Sequence, residues 1–101
     1  YEYLCIQKVR NNMNNKTYTF YSDPGHGWLE VQKKELEELN IFNKVSEYSY
    51  INNDLVYLEE DCDANIFINA FKSKFGVNPK IYEPIKDNHK IRSYSRFQKA
   101  V

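Results

Sequence analysis

The residues best suited to chemistry lie in one short loop, Asp23-Pro24-Gly25-His26-Gly27-Trp28. An imidazole can serve as a general base, and flexible backbone beside it can turn N–H groups toward an anion. The loop does not continue into a phosphate-binding loop or a dinucleotide fingerprint. We predict a ligand-binding site made of Asp23, Gly25, His26, Gly27 and Trp28. In the structural alternative, the two glycines form a turn and Trp28 anchors it in the core.

Catalytic pairings are weakly supported by the sequence. A two-histidine phosphodiesterase or nuclease would pair His26 with His89, one as base and one as acid, but neither stands in a His-x-Ser/Thr repeat. A cysteine nucleophile lacks a local signature for thiolate activation, because we expect Cys62 at a buried helix start and Cys5 in a strand. We therefore predict no catalytic residue and favour binding over catalysis, with an enzyme left as the rival class.

An acidic cluster at residues 59–63 is a candidate metal site, because hard cations need several converging carboxylates. It begins like a calcium loop at Asp61 and Asp63. It then has Ile66 where such a loop needs Gly and Lys72 where it needs Glu. We predict no metal and no cofactor, and expect Asp61 or Asp63 to cap a helix.

Charge is balanced overall, with 14 Lys+Arg against 14 Asp+Glu, but residues 72–101 hold eight cations against Glu83 and Asp87. Cations alternate with rings there, as they do on nucleic-acid surfaces, where phosphates need cations and bases stack on rings. The predicted nucleic-acid-binding or partner-binding residues are Lys90, Arg92, Tyr94, Arg96 and Phe97. The alternative packs Ile91, Tyr94 and Phe97 on a sheet, with the cations spread over its surface.

The chain of 101 residues, 42% of them hydrophobic, is expected to form one domain, 1–101, with a basic C-terminal tail at 86–101. No apolar run is long enough for a membrane span. The two cysteines, Cys5 and Cys62, are far apart and fit neither a disulfide framework nor a zinc site, which favours a reduced cytoplasm. Because the sequence starts with Tyr1 rather than Met, we expect that a tag or leader was removed.

Turn and periodicity signals predict the order β-β-α-β-β-α-β. Strands are expected at 3–10 and 16–22 around an Asn-rich turn, and a short helix at 32–39 that Asn40 ends in the left-handed conformation. A second hairpin is expected from 45–51 and 55–59. Apolar spacing predicts the main helix from Asp61 to Gly76, with Phe67, Ile68 and Phe71 on its core face, and a last strand at 80–83. The expected fold is α+β, a mostly antiparallel sheet of about five strands with the long helix on one face.

Four strings carry a resemblance: SDPGHGWLEV at 22–31, YSY at 48–50, VYLEEDCDA at 56–64 and IRSY at 91–94. They resemble recurring strings of small phage-encoded and plasmid-encoded proteins that have no assigned activity, over residues 16–97. The resemblance implies a mobile-element accessory protein that binds a host component, including as an inhibitor of host defence. We accordingly predict a small binding protein in the host cytoplasm. Its partner is expected to be a host protein, with nucleic acid or a small anionic ligand as alternatives.

Overall fold

The computed structural model describes residues 15–84 and 90–97. The strands are β1 (Thr17–Ser22), β2 (Gly27–Gln32), β3 (Tyr50–Asn52), β4 (Leu55–Glu59), β5 (Lys80–Tyr82) and β6 (Ser95–Arg96). The α-helices are α1 (Lys33–Glu38) and α2 (Asp63–Phe75), and short 3-10 turns cover Phe42–Lys44 and Lys90–Ser93. No helix of this part of the chain is both long and apolar enough to cross a membrane.

Within the described ranges the protein is an α+β fold with one open, mixed sheet in the order β5-β1-β2-β4-β3-β6. The β1–β5 pair is parallel and the other four pairs are antiparallel. The α+β class is confirmed, whereas the sheet has six strands rather than about five. Two strands were not predicted: the central β2, and β6 in the basic tail. The strand predicted at 3–10 lies outside the described residues.

Local signals place the helix ends and the second hairpin. Asn40 has a φ of 59° after α1, and Gly76 has a φ of 77° at the end of α2, as predicted for left-handed C-terminal residues. Asn53, with a φ of 57°, forms the turn between β3 and β4. β3 is shorter than the predicted strand 45–51. Ser46 and Ser49 donate hydrogen bonds to Asp63 of α2, and these bonds hold residues 45–49 away from the paired strands of the sheet.

The two faces of the sheet are covered differently, because neighbouring residues of a strand point to opposite sides. On one face, here called the helical face, Leu29, Val31 and Leu58 pack under α2 with Phe67 and Phe71. All of these side chains are buried, and Ile68 is partly buried against them, so the predicted core face of α2 is confirmed.

The opposite face carries mainly rings and is here called the aromatic face. Its buried residues are Trp28, Tyr50 and Tyr57, and Ile91 from the second 3-10 turn covers them. Cross-strand pairing explains the grouping: Tyr50 stands opposite Tyr57, and it also stands opposite Arg96 of β6. The tail predicted as basic and aromatic therefore forms part of the sheet and of its cover.

Candidate ligand-binding pocket

A pocket of about 320 Å³ opens at the end of the aromatic face. It lies where the loop before β2, the loop before β3, the segment after β4 and the C-terminal segment meet. Its lining residues are His26, Trp28, Tyr48, Tyr50, Glu59, Asp61, Cys62, Arg92 and Arg96. The structure thus brings the predicted ligand loop and the predicted basic segment, which are far apart in sequence, into one site.

Asp23 organises the first wall of the pocket. Its Oδ1 atom accepts the backbone N–H groups of Gly25 at 2.9 Å and His26 at 2.8 Å. The Asp23 N–H group in turn donates to the carbonyl of His26 at 2.8 Å. These N–H groups have partners within the loop, so they do not support the predicted anion binding by the backbone. The loop's contribution to the pocket comes from its side chains.

The two glycines of the loop have different roles. A Cβ atom at Gly27 would lie 2.4 Å from the Phe20 ring, so a larger residue there requires this ring to move. A Cβ at Gly25 would meet nothing closer than 3.5 Å. Neither has a positive φ. Gly27 is therefore a packing residue, and neither glycine lines the pocket, in contrast to the predicted ligand role.

Arg92 joins the C-terminal segment to the loop. Its Nε donates to Asp23 Oδ2 at 2.7 Å and its Nη2 to Oδ1 at 3.3 Å, while the guanidinium lies 5.3 Å from the Trp28 ring centre. The hydrogen bond from Arg92 is the main cause that holds the pKa of Asp23 well below its usual range, and the same bond raises the pKa of Arg92. Trp28 is buried at 3% exposure, as the structural alternative expected.

Arg96 forms the cationic part of the pocket with two tyrosines. Its guanidinium lies 4.6 Å from the centre of the Tyr50 ring, and its Nη1 donates long bonds to the carbonyls of Glu47 and Tyr48, at 3.5 and 3.4 Å. Among the described residues it has no carboxylate partner. The ring of Tyr48 beside it is 63% exposed. The pocket thus offers one cation that has no ion-pair partner among the described residues, and one exposed tyrosine in the same lining, while Glu59 and Asp61 balance the two arginines in charge.

The segment after β4 contributes Glu59, Asp61 and Cys62 to the lining. Cys62 is exposed, and not buried as the sequence led us to expect. Partial desolvation first, and then the charges of Glu59, Asp63 and Asp61, raise the pKa of its thiol. A thiol with a raised pKa stays protonated at neutral pH and is a poor nucleophile.

Asp63 positions the loop that carries Tyr48, and it does not cap α2. Its Oδ2 atom accepts bonds from the Ser46 N–H at 3.0 Å, the Ser46 hydroxyl at 2.7 Å and the Ser49 hydroxyl at 2.6 Å. The N-cap position belongs to Cys62, without a side-chain capping bond. The predicted cap is therefore wrong: the carboxylate is used to bind residues 46–49.

The remaining residues of the predicted basic surface do not line the pocket. Phe97 is 1% exposed and packs edge-on against Phe42, so it cannot stack on a base. Tyr94 is half-buried against Tyr57, with ring centres 5.3 Å apart. With Ile91 also buried, the alternative that these three apolar residues pack on the sheet is confirmed. The side chain of Lys90, like His89 and Lys99, lies outside the described part.

Tyr48 and Tyr50 were not predicted as site residues. Glu59 and Asp61 were predicted to belong to the acidic cluster at the start of a helix. The alternation of apolar and polar residues along β3 and β4 places Tyr50 and Glu59 on the face of Trp28, and that signal was present. No local signal marks Tyr48, because it lies in a loop whose course depends on Asp63.

No group of three His, Cys, Asp or Glu side chains within 15–84 and 90–97 is arranged to hold a metal ion. Comparison of the chain with protein-family models, with curated proteins and with solved structures finds no match.

Proposed function

We propose that this protein acts by binding, and that the pocket between the 23–28 loop and the C-terminal segment holds a small anionic ligand. One observation carries the proposal. Arg96 faces the pocket without a carboxylate partner in the described chain, while Arg92 beside it is held in place by Asp23 and Trp28. A partly enclosed cation beside aromatic surface is a favourable place for an anion.

The location of the resemblance supports the same site. Every lining residue except Arg96 falls within the strings 22–31, 48–50, 56–64 and 91–94. These strings are distant in sequence and meet at the pocket. We accordingly propose that the protein serves a phage or other mobile element by capturing a host ligand there, a role that includes inhibition of host defence.

Trp28 provides the test, because it is the single tryptophan of the chain and lines the pocket. Titration with inorganic pyrophosphate at neutral pH should shift the indole N–H signal of Trp28 in a nitrogen-correlated NMR spectrum. The Arg96→Ala variant should lose the shift. Lys72→Ala removes the same charge from the exposed side of α2 and should keep it. An unchanged Trp28 signal at millimolar pyrophosphate in the parent protein would contradict the proposal.

An enzyme is the second candidate, because His26 shares the pocket with Glu59, Asp61 and Cys62. A base and an acid within one pocket would suit hydrolysis of a phosphodiester. However, no residue in the described ranges accepts or donates a hydrogen bond to the His26 imidazole, whose ring contact is with Trp28 at 6.2 Å. Turnover of a nitrophenyl phosphodiester that disappears in His26→Ala would favour the enzyme. We expect no turnover.

A host protein remains a further predicted partner. Proteins captured from host lysate by the parent protein and by Arg96→Ala can be identified by mass spectrometry. The comparison shows whether a host protein depends on the pocket for binding. A protein retained equally by both would bind away from the pocket, which would count against the pocket as the binding site.

A further inference from the structure

We propose that the ligand is a free nucleoside phosphate, with its base stacked on Tyr48 and its phosphate bound by Arg96 and Arg92. This inference rests on the proposed function, since it assigns a chemical class to the ligand of the same pocket. Three features of the pocket lining carry it: spare donors on the arginines, an exposed tyrosine, and carboxylates in the same lining.

The arginines have the donors that a phosphate needs. Arg96 uses Nη1 for the carbonyls of Glu47 and Tyr48, and its Nε and Nη2 atoms have no bond to any described residue. Arg92 uses Nε and Nη2 for Asp23, which leaves Nη1. Stacking on Tyr50 and Trp28 restricts both guanidinium groups before a ligand arrives. Together they form a pre-arranged set of charged donors.

Among the tyrosine and tryptophan rings of the lining, one is open to a ligand, and the exposed imidazole of His26 lies in the same lining. The rings of Trp28 and Tyr50 are 3% and 7% exposed, and each has an arginine over it. Tyr48 is 63% exposed and lies next to Arg96 through its own carbonyl. An exposed tyrosine beside a cation is the arrangement that holds a base and its phosphate, because every base has a face that can stack.

The carboxylates disfavour a polyanion large enough to fill the whole pocket, but not a small anion held at the arginines. Glu59 and Asp61 line the same pocket as the arginines, so a polyanion filling it would meet like charges. A nucleotide separates its charge from its base, and the base edges of guanine, adenine and cytosine carry N–H donors. Glu59 accepts the Cys62 N–H on Oε1 at 3.1 Å, and its second oxygen can accept a base N–H.

The volume fits one ligand of this kind. About 320 Å³ is at the lower end of the range for small-molecule sites, roughly 300 to 1,000 Å³. A nucleic-acid strand requires a groove that follows its backbone over several nucleotides, whereas this pocket has the volume of one. The volume therefore favours a free nucleotide over a strand.

Isothermal titration calorimetry at low salt tests the assignment with guanosine 5′-monophosphate, ribose 5-phosphate, guanosine and inorganic pyrophosphate. We expect the nucleotide to bind more tightly than either ribose 5-phosphate or guanosine, because only the nucleotide engages both the arginines and the ring. Tyr48→Ala should weaken nucleotide binding about 5- to 150-fold, the loss that corresponds to one base stack. It should leave pyrophosphate binding unchanged.

Matched controls separate the ring from a general effect on the fold. Tyr82 is 59% exposed on β5, far along the sheet from the pocket, so Tyr82→Ala removes a similar exposed ring and should bind nucleotide as the parent does. Circular dichroism and thermal unfolding of both variants should match the parent. Glu59→Gln should lower the affinity for guanosine monophosphate relative to that for ribose 5-phosphate, because only the base uses the Glu59 carboxylate.

Failure of this inference is distinguishable from failure of the proposed function. Equal binding of ribose 5-phosphate and the nucleotide, unaffected by Tyr48→Ala, would leave an anion pocket and overturn the nucleotide assignment alone. Binding of a single-stranded oligonucleotide without binding of the mononucleotide would also overturn the nucleotide assignment. Binding of a free amino acid, with no binding of either nucleotide form, would overturn it as well. Absence of any binding, pyrophosphate included, would overturn both proposals.

Discussion

The helical face and the aromatic face share the same strands but differ in what covers them. On the helical face, the apolar side of the thirteen-residue helix α2 supplies the cover, and Leu58, Phe67 and Phe71 are fully buried. On the aromatic face, the cover is a 3-10 turn beside the two-residue edge strand β6, and Arg92 and Arg96 lie over the rings. Complete apolar burial maximises stability, whereas incomplete polar cover leaves a pocket.

This difference indicates that the helical face mainly stabilises the fold, whereas the aromatic face is suited to binding. Substitutions on the helical face should reduce stability, while substitutions of exposed residues around the pocket should change binding with little effect on stability. The following four variants test how strict that division is, in order of decreasing effect.

Phe71→Ala should have the largest effect, about 3 to 5 kcal/mol in the free energy of unfolding, since it opens a cavity in the helical face. Phe71 is 0% exposed and contacts the rings of Tyr18, Phe67 and Phe75. Chemical denaturation measures the loss. Ser73→Ala, on the exposed side of the same helix, should change stability by less than about 0.5 kcal/mol. A loss below about 1 kcal/mol for Phe71→Ala would mean that the helical face is not the stabilising one.

Asp63→Ala should cost about 2 to 4 kcal/mol, because it leaves the Ser46 N–H and the two serine hydroxyls without their charged acceptor. Asp63→Asn keeps one oxygen that can accept at the same place and should cost less. Urea unfolding of the two variants tests this order. Because Ser46 and Ser49 flank Tyr48, the alanine variant should also weaken ligand binding, which would show that the two faces are coupled. Equal stabilities of the two variants would contradict the prediction.

Gly27→Ala should destabilise the protein by about 1 to 3 kcal/mol, the usual cost of overpacking, because the new methyl group meets the Phe20 ring. Gly25→Ala is the matched control, two residues away in the same loop, where an added Cβ makes only ordinary contacts at 3.5 Å or more. Thermal unfolding of both variants provides the comparison. If both lowered the melting temperature equally, flexibility of the loop and not packing against Phe20 would be the reason for glycine.

Asp23→Asn should have the smallest effect on stability, and the effect should depend on pH. The folded-state pKa of Asp23 lies below its ordinary value of 3.8, so its contribution to stability is present above that value and is lost as pH falls through the lowered pKa. The variant should therefore be less stable than the parent at neutral pH, and the difference should shrink in strong acid. Melting temperatures from pH 7 downward measure it.

A double-mutant cycle with Arg92→Gln identifies the cause of this pH dependence. The coupling between the two substitutions should be detectable at neutral pH and should disappear in acid with the Asp23 charge. Coupling that persists unchanged in acid would show that the carboxylate charge does not matter.

Much of the helical face could be predicted from the sequence, because its signals are local. The spacing of Phe67 and Phe71 predicted the buried side of α2, and Asn40 and Gly76 predicted where both helices end. The Asn53 turn predicted the β3–β4 hairpin. Each of these features depends on residues within one or two turns of chain.

The features that could not be predicted depend on partners far along the chain. The parallel pairing of Thr17 with Lys80 has no local signal. Gly27 and Trp28 follow a Pro-Gly loop, so the beginning of β2 was interpreted as the end of that loop. The ion pair between Asp23 and Arg92 joins residues 69 positions apart, and it is this contact that unites the two predicted sites.

The same ion pair has a consequence for the order of folding. The β1–β2 and β3–β4 hairpins close short loops, whereas the Arg92–Asp23 contact and the β3–β6 pairing close much longer ones, whose entropic cost is larger. We therefore expect the pocket to be completed after the hairpins have formed, when residues 90–97 dock. Release of this segment breaks the β3–β6 pairs and the Arg92–Asp23 ion pair and exposes Ile91 and Phe97, so we expect the pocket to open only together with part of the core.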